Sequence, residues 1–324
     1  MKTPPPISEI EKWLREENPL GLFNDPIFSI KDIDSKSWSG HFNYLVKIGK
    51  SKFVLRFKGP EWGEPTKGIM DEFKILKGLE KYRVAPKIYY LSKNFFGEPM
   101  LLEEYLVGKN FYGLSVDGQT SFSSKIAKYV ARLNRIPLDK GIFPFRESLT
   151  NYRVHKKEWR DKLKIILNDP RIKKWGRKIE VLLPQAEKML DSFEPRLKRV
   201  LKKSGPAFIF ISSHAGHCIK TKLGPRFLNW EQVSYGDPSY TLAVFLASVS
   251  RRAYFGEVKE QMVRTYLKKN PIPEFKELVE QRLKEREVSN LLWVLWAYME
   301  RTDARPVELG TSVSERFERV NRML

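Results

Sequence analysis

The feature that most constrains this chain is a change of hydrophobic period near residue 107. Before it, apolar side chains recur at every second residue in short runs, and after it they recur every three to four residues over longer stretches. Residues 43–48 and 52–57 read as two strands joined by a Gly49-Lys50-Ser51 turn. Residues 68–81 carry Ile69, Phe73, Leu76 and Leu79 at helical spacing. Pro86 follows, and residues 87–91 and 100–106 read as further strands, the second introduced by a Gly97-Glu98-Pro99 turn. From Ser121 the pattern is helical, with Ser123-Ser124 as the expected cap of a helix whose apolar positions are Ile126, Ala127, Val130 and Leu133. Basic amphipathic helices fill most of residues 158–203. Residues 207–212 read as a short strand, a strand resumes at Phe227-Leu228, and everything beyond Ser239 reads as helix. The expected fold class is α+β, with a β-rich N-terminal part (1–107) and a larger helical C-terminal part (108–324).

At 324 residues the chain is long enough for two packed parts. The first residues lack the basic start and apolar run of a signal peptide. The longest apolar run, 291–299, is about half the 20 residues of a membrane helix, so no transmembrane segment is expected. A single cysteine, Cys218, allows no internal disulfide, which suits a cytoplasmic location. The formal net charge is +20, and residues 153–203 hold 17 Lys/Arg against 7 Asp/Glu, a net of +10. Such a balance points to an anionic partner or to a solvated helical face.

Five strings carry a resemblance. Ser39-Gly40-His41-Phe42-Asn43-Tyr44-Leu45-Val46 offers one glycine ahead of a strand, and Val54-Leu55-Arg56 sets an arginine among apolar residues, with Glu72 on the following helix. Ala85-Pro86-Lys87-Ile88-Tyr89 precedes Met100-Leu101-Leu102-Glu103-Glu104-Tyr105-Leu106-Val107-Gly108. A helix then ends in Leu133-Asn134-Arg135-Ile136-Pro137, and Asn229-Trp230-Glu231 precedes Gly236-Asp237-Pro238 and Leu242-Ala243. In this order, from about residue 37 to 246, they resemble the aminoglycoside phosphotransferase and choline kinase family, which has a bilobal protein-kinase-like fold. The resemblance implies ATP or another nucleotide as cofactor. It implies a phosphate-covering turn at Gly40, a phosphate-facing Arg56 paired with Glu72, and an adenine-binding hinge at Glu104 and Tyr105. The family's helix-ending histidine is Asn134 here.

The same resemblance exposes what this chain lacks. The family supplies a catalytic carboxylate from a His-Gly-Asp turn, an Asn five residues later, and a metal-binding Asp ahead of Trp-Glu. Here the turn reads Ser212-Ser213-His214-Ala215-Gly216-His217, no Asp or Glu occurs between Ser204 and Asn229, and Asn229 stands where the metal-binding Asp would be. Mg²⁺ binding is therefore in doubt, because an amide offers a dipole where a dehydrated cation needs anionic oxygen. His214 and His217 are the remaining candidates for a general base, and Asp237 for a substitute metal ligand. A zinc site at His214, His217 and Cys218 falls short of four ligands.

Three readings follow from the residues and the resemblance. One is a nucleotide-binding, pseudokinase-like protein with impaired or lost phosphoryl transfer. Another is an active ATP-dependent phosphotransferase acting on a hydroxyl of a small, non-cationic substrate. The third is a basic scaffold that binds nucleic acid or another polyanion through residues 153–203, where Trp159 and Trp175 interleave with Lys and Arg.

Overall fold

Strict alternation of side chains organises the N-terminal sheet. The computed structural model describes residues 4–23, 28–33, 40–59, 68–300 and 306–324. In chain order the first elements are α1 (Ile7–Glu17), β1 (Phe28–Asp32), β2 (His41–Ile48), β3 (Ser51–Lys58), α2 (Ile69–Leu79), β4 (Ile88–Phe95), β5 (Glu98–Glu104) and β6 (Gly108–Asn110). They continue with α3 (Val116–Leu133), α4 (Tyr152–Asn168), α5 (Lys173–Ser204), β7 (Ala207–Phe210), β8 (Cys218–Thr221), β9 (Gly224–Phe227) and β10 (Val233–Gly236). Four helices complete the chain: α6 (Tyr240–Val249), α7 (Phe255–Leu267), α8 (Phe275–Glu300) and α9 (Pro306–Met323). The expected α+β class is what the structure shows. Among the described residues no helix is long and apolar enough to cross a membrane.

The first compact unit comprises Met1–Lys109 and Cys218–Gln232. Its antiparallel five-stranded sheet has the order β1-β2-β3-β5-β4. One face carries Tyr44, Val46, Phe53, Leu55, Phe57, Met100 and Leu102, which pack with Ile10 and Leu14 of α1 in one core. The register Asn43↔Arg56 and Val54↔Glu103 leaves His41, Asn43, Arg56 and Glu103 on the opposite face. Residues 218–232, which the sequence reading grouped with the helical part, fall in this unit because β8 and β9 form a three-stranded sheet with β6. That contact explains Gly108, since a Cβ there would lie 2.3 Å from the Lys220 carbonyl oxygen.

The second unit comprises Asn110–His217 and Val233–Leu324. Helix α3 starts earlier than its apolar pattern suggests. Ser115 caps it by accepting from the Gly118 N–H at 3.2 Å, whereas Ser123 lies inside the helix and donates to the Gln119 carbonyl at 2.7 Å. The expected strand at 207–212 is β7 and ends at Phe210; β10, unforeseen in the sequence, pairs with it. Helices α4, α5, α8 and α9 share one core that includes Trp159, Leu163, Leu190, Leu292, Val313 and Val320.

A buried ionic network ties α8 to the Gly-Asp-Pro turn. Asp237 accepts from Arg282 Nε at 3.0 Å and Nη2 at 2.9 Å through one oxygen, and from the Ser239 N–H and Oγ at 2.8 and 2.6 Å through the other. Arg282 also reaches Glu285 at 3.3 Å and lies 4.4 Å from the centre of the Tyr152 ring. Burial opposes the Glu285 charge, but His155, Arg282 and Arg286 hold its carboxyl down to about 2. Replacing Arg282 by Met removes the buried cation that pairs with both Asp237 and Glu285. We expect Arg282→Met to cost about 3–5 kcal/mol, read as a lower midpoint in denaturant unfolding.

Candidate functional site

On its polar face the first unit builds a site around one guanidinium. Arg56 of β3 donates through Nε to Glu72 of α2 at 2.8 Å, through Nη1 to Asn43 at 3.1 Å, and through Nη2 to Asn229 Oδ1 at 2.6 Å. Nη2 also lies 3.0 Å from His41 Nδ1, which therefore accepts. The other nitrogen of that ring, Nε2, stands 3.5 Å from Glu231. Burial works against the Arg56 charge, yet the Glu72, Glu103 and Glu231 carboxyls outweigh it and raise its pKa. His41 is pushed down to about 2 by burial and by the Arg56 and Lys58 charges, so it stays neutral. Asn229 holds its amide in place from a left-handed backbone, with φ of 68°, a conformation Asn tolerates better than most residues.

The expected hinge also lies in this unit. The Glu104 N–H donates to the Lys87 carbonyl at 2.8 Å, and its carboxylate accepts from the Lys87 N–H and from Arg226 Nη2, each at 3.1 Å. Arg226 reaches the Ala85 carbonyl through the same nitrogen, tying β9 to the start of β4. Tyr105 sits under the Lys52 ammonium, 5.8 Å from its ring centre. The Gly40 carbonyl accepts from the Gly59 N–H at 2.9 Å and closes the end of the β2–β3 pair. Ser39, the first residue of the expected phosphate-covering string, lies outside the described residues.

The remaining candidates lie in the second unit. The His214 and His217 rings lie with centres 3.7 Å apart, tilted by 41°, and His217 Nδ1 faces the Ser212 carbonyl at 3.0 Å. Burial and the Arg286 charge hold His214 below its ordinary value. Their loop is fixed from α6 by Ser213 Oγ, which donates to the Thr241 carbonyl at 2.8 Å, and by the Ala215 N–H, which donates to Ser248 Oγ at 2.9 Å. Both Asp237 oxygens are taken by Ser239 and Arg282. Asn134 donates to the Phe208 carbonyl at 2.7 Å and accepts from Tyr266 at 2.7 Å, joining β7 to α7. In the first unit, burial pushes the Cys218 thiol well up, as for an inert core cysteine.

These residues do not fit a divalent cation. Asn229 Oδ1 faces a donor at 2.6 Å, and both oxygens of Asp237 are committed elsewhere. Among the described residues, no group of three or more His, Cys, Asp or Glu side chains is placed to hold a metal ion. In the basic helices, Arg160 pairs with Glu187, Lys156 with Asp191, Lys198 with Glu194, and Arg196 and Arg199 with Glu274. Trp159 is buried and donates to Ser289 at 2.9 Å, so its ring face serves the core.

Sequence reasoning did not single out Asn43, His41 as an Arg56 acceptor, or Glu103. The period of two held the signal, since all three share the face of Arg56. Burial and the Glu72 charge push the Glu103 carboxyl up to about 8, against the Arg56 charge. Folding thus retains a proton that the unfolded chain, with an ordinary value of 4.5, gives up. Stability contributed by this group is present below about pH 4.5 and falls as pH rises toward 8. We expect Glu103→Gln to remove that fall. Its melting temperature relative to wild type should increase by several degrees from pH 5 to pH 8 in parallel thermal melts, at about 2–4 °C per kcal/mol.

Comparison with known proteins bears on the family and the fold. The family described as "Phosphotransferase enzyme family" matches residues 33–285. No curated protein sequence matches the chain. Among solved structures it is similar to a choline kinase from Cryptosporidium parvum Iowa II, with a TM-score of 0.70 and 16% identity over 97% of this chain and 94% of that one. A Plasmodium vivax ethanolamine kinase gives 0.66 and 16% identity over 94% and 84%. A spectinomycin phosphotransferase in complex with ADP and spectinomycin gives 0.62 and 10% over 99% and 95%. A kinase-like fold and a match spanning most of its length place this chain in the phosphotransferase enzyme family.

Proposed function

We propose that this protein binds ATP or a related nucleotide in its first unit and has lost, or nearly lost, the ability to transfer phosphate. The observation that carries the first half is the buried Arg56–Glu72 pair at 2.8 Å, a fixed cation on the sheet face beside the hinge strand. The spectinomycin phosphotransferase of the same fold is an ADP complex, which supports a nucleotide for this one. Four of the five Arg56 N–H groups are already engaged, so a phosphate oxygen must displace Asn229 or His41 to gain a forked contact. The second half rests on chemistry. Positioned carboxylates orient the acceptor and hold the metal in phosphoryl transfer. This chain has none from Ser204 to Asn229. In the loop that stands where the family has its catalytic turn, His217 Nδ1 is engaged with the Ser212 carbonyl. Loss of one positioned base alone costs about 10²–10⁴-fold in rate.

One observation favours an active phosphotransferase as the second reading. The neutral His214 ring lies 3.7 Å from that of His217 in the loop that lacks a carboxylate, which sets an imidazole there as a base, although burial and the Arg286 charge weaken its hold on a proton. The polyanion-binding reading is weakened by the acidic partners of the 153–203 helices.

A thermal-shift titration with ATP and ADP, each with and without Mg²⁺, tests the proposal. Stabilisation by nucleotide should be equal with and without metal, reaching several degrees at a hundred times Kd. It should be lost in Arg56→Met/Glu72→Gln, which removes both buried charges together. ADP release from ATP should stay at the level of a protein-free control. Metal-dependent stabilisation with steady ADP release would establish the active reading instead, and no stabilisation by either nucleotide would end the nucleotide proposal.

A further inference from the structure

Three cations crowd one corner of the second unit, where the described residues set two carboxylates beside them. Arg251 sits in the turn between α6 and α7, and Arg316 and Arg319 lie three residues apart on α9, hence on one side of that helix. Two carboxylates answer them. Glu287 of α8 pairs with Arg319 at 3.2 Å and also reaches Ser250 Oγ at 3.4 Å. Glu315 stands 3.6 Å from Arg251. Arg316 has no carboxylate within salt-bridge distance among the described residues. Among the described residues, the buried Nε groups of Arg316 and Arg319 have no acceptor. Buried donors left this way call for an explanation, and an anion is one that also answers the surplus charge. Burial, Arg251 and Arg319 together push Arg316 down to about 10, the mark of guanidiniums held against mutual repulsion.

We propose that Arg251, Arg316 and Arg319 form a binding site for a phosphate-type oxyanion, either free phosphate or the phosphate group of a small metabolite. The planar fork of arginine matches a tetrahedral oxyanion with two parallel N–H groups, which a lysine cluster would not offer. Arg251 follows the C-terminal end of α6, whose dipole favours a cation there, so the turn holds its charge in place without ligand. Arg316 and Arg319 flank the apolar stripe Val313, Phe317 and Val320 that seats α9 in the core, so the cations ride on a rigid element. The site stands apart from the nucleotide reading, because all of its residues belong to the second unit.

The test is a titration with inorganic phosphate against chloride and acetate at matched ionic strength, followed by thermal shift and calorimetry. Wild type should bind phosphate saturably and chloride not at all. Arg316→Gln and Arg251→Gln should each raise the apparent Kd about 10–100-fold, the loss of one charged hydrogen-bonding partner. Without phosphate, Arg316→Gln should melt at or above wild type, because it relieves repulsion. Arg56→Met/Glu72→Gln, in the other unit, should keep the phosphate response even if nucleotide binding fails. Unchanged phosphate affinity in both Arg316→Gln and Arg251→Gln would overturn the proposal. So would the absence of saturable binding by wild type, a response lost only in the Arg56 variant, or a melting point of Arg316→Gln below wild type. Equal binding of acetate would overturn the assignment to a tetrahedral anion.

Discussion

A buried positive charge is the constraint around which the first unit is arranged. An isolated guanidinium in an apolar interior is too costly to survive, so every element near Arg56 contributes something that compensates it. Helix α2 brings Glu72, the neighbouring strand brings Asn43 and His41, and the 218–232 segment brings Asn229 and Glu231. This polar face is possible because the opposite face carries the apolar core with α1. Burial first, and then the same charge, keep His41 neutral and accepting a hydrogen bond, as a protonated ring beside Arg56 would add a second buried cation.

The second unit solves the same problem with Arg282. Its counter-charges are Asp237 and Glu285, and two tyrosine rings, Tyr152 and Tyr240, lie against it. Both networks draw on residues from the strings that carry the resemblance, Asn229 in one and Asp237 in the other. Asn229 takes up an arginine donor, and Asp237 spends its oxygens on a helix start and an ion pair.

Much of the frame was legible. Alternating apolar residues marked the central strands, and Glu72 could be matched with Arg56 because the family resemblance pairs a strand cation with a glutamate of the following helix. The limits of reading are equally specific. The start of α3 was placed several residues late, because Ser115 caps a first turn that carries little apolar signal. Strand β10 escaped notice because four residues buried on both faces show no alternation. Glu103 drew no attention because its neighbour Glu104 occupied the hinge position, and only the register Val54↔Glu103 sets it beside Arg56.

By itself the sequence determined the α+β division, the order of the family's strings and the absence of carboxylates from Ser204 to Asn229, since each is a property of residue type and spacing along one chain. Tertiary structure alone decided which unit residues 218–232 join, that Asn229 binds Arg56 across 173 residues of chain, and that Arg251 pairs with Glu315 of α9. These are long-range pairings. They depend on which buried charges find compensation when the chain closes, and no local period or motif records that outcome.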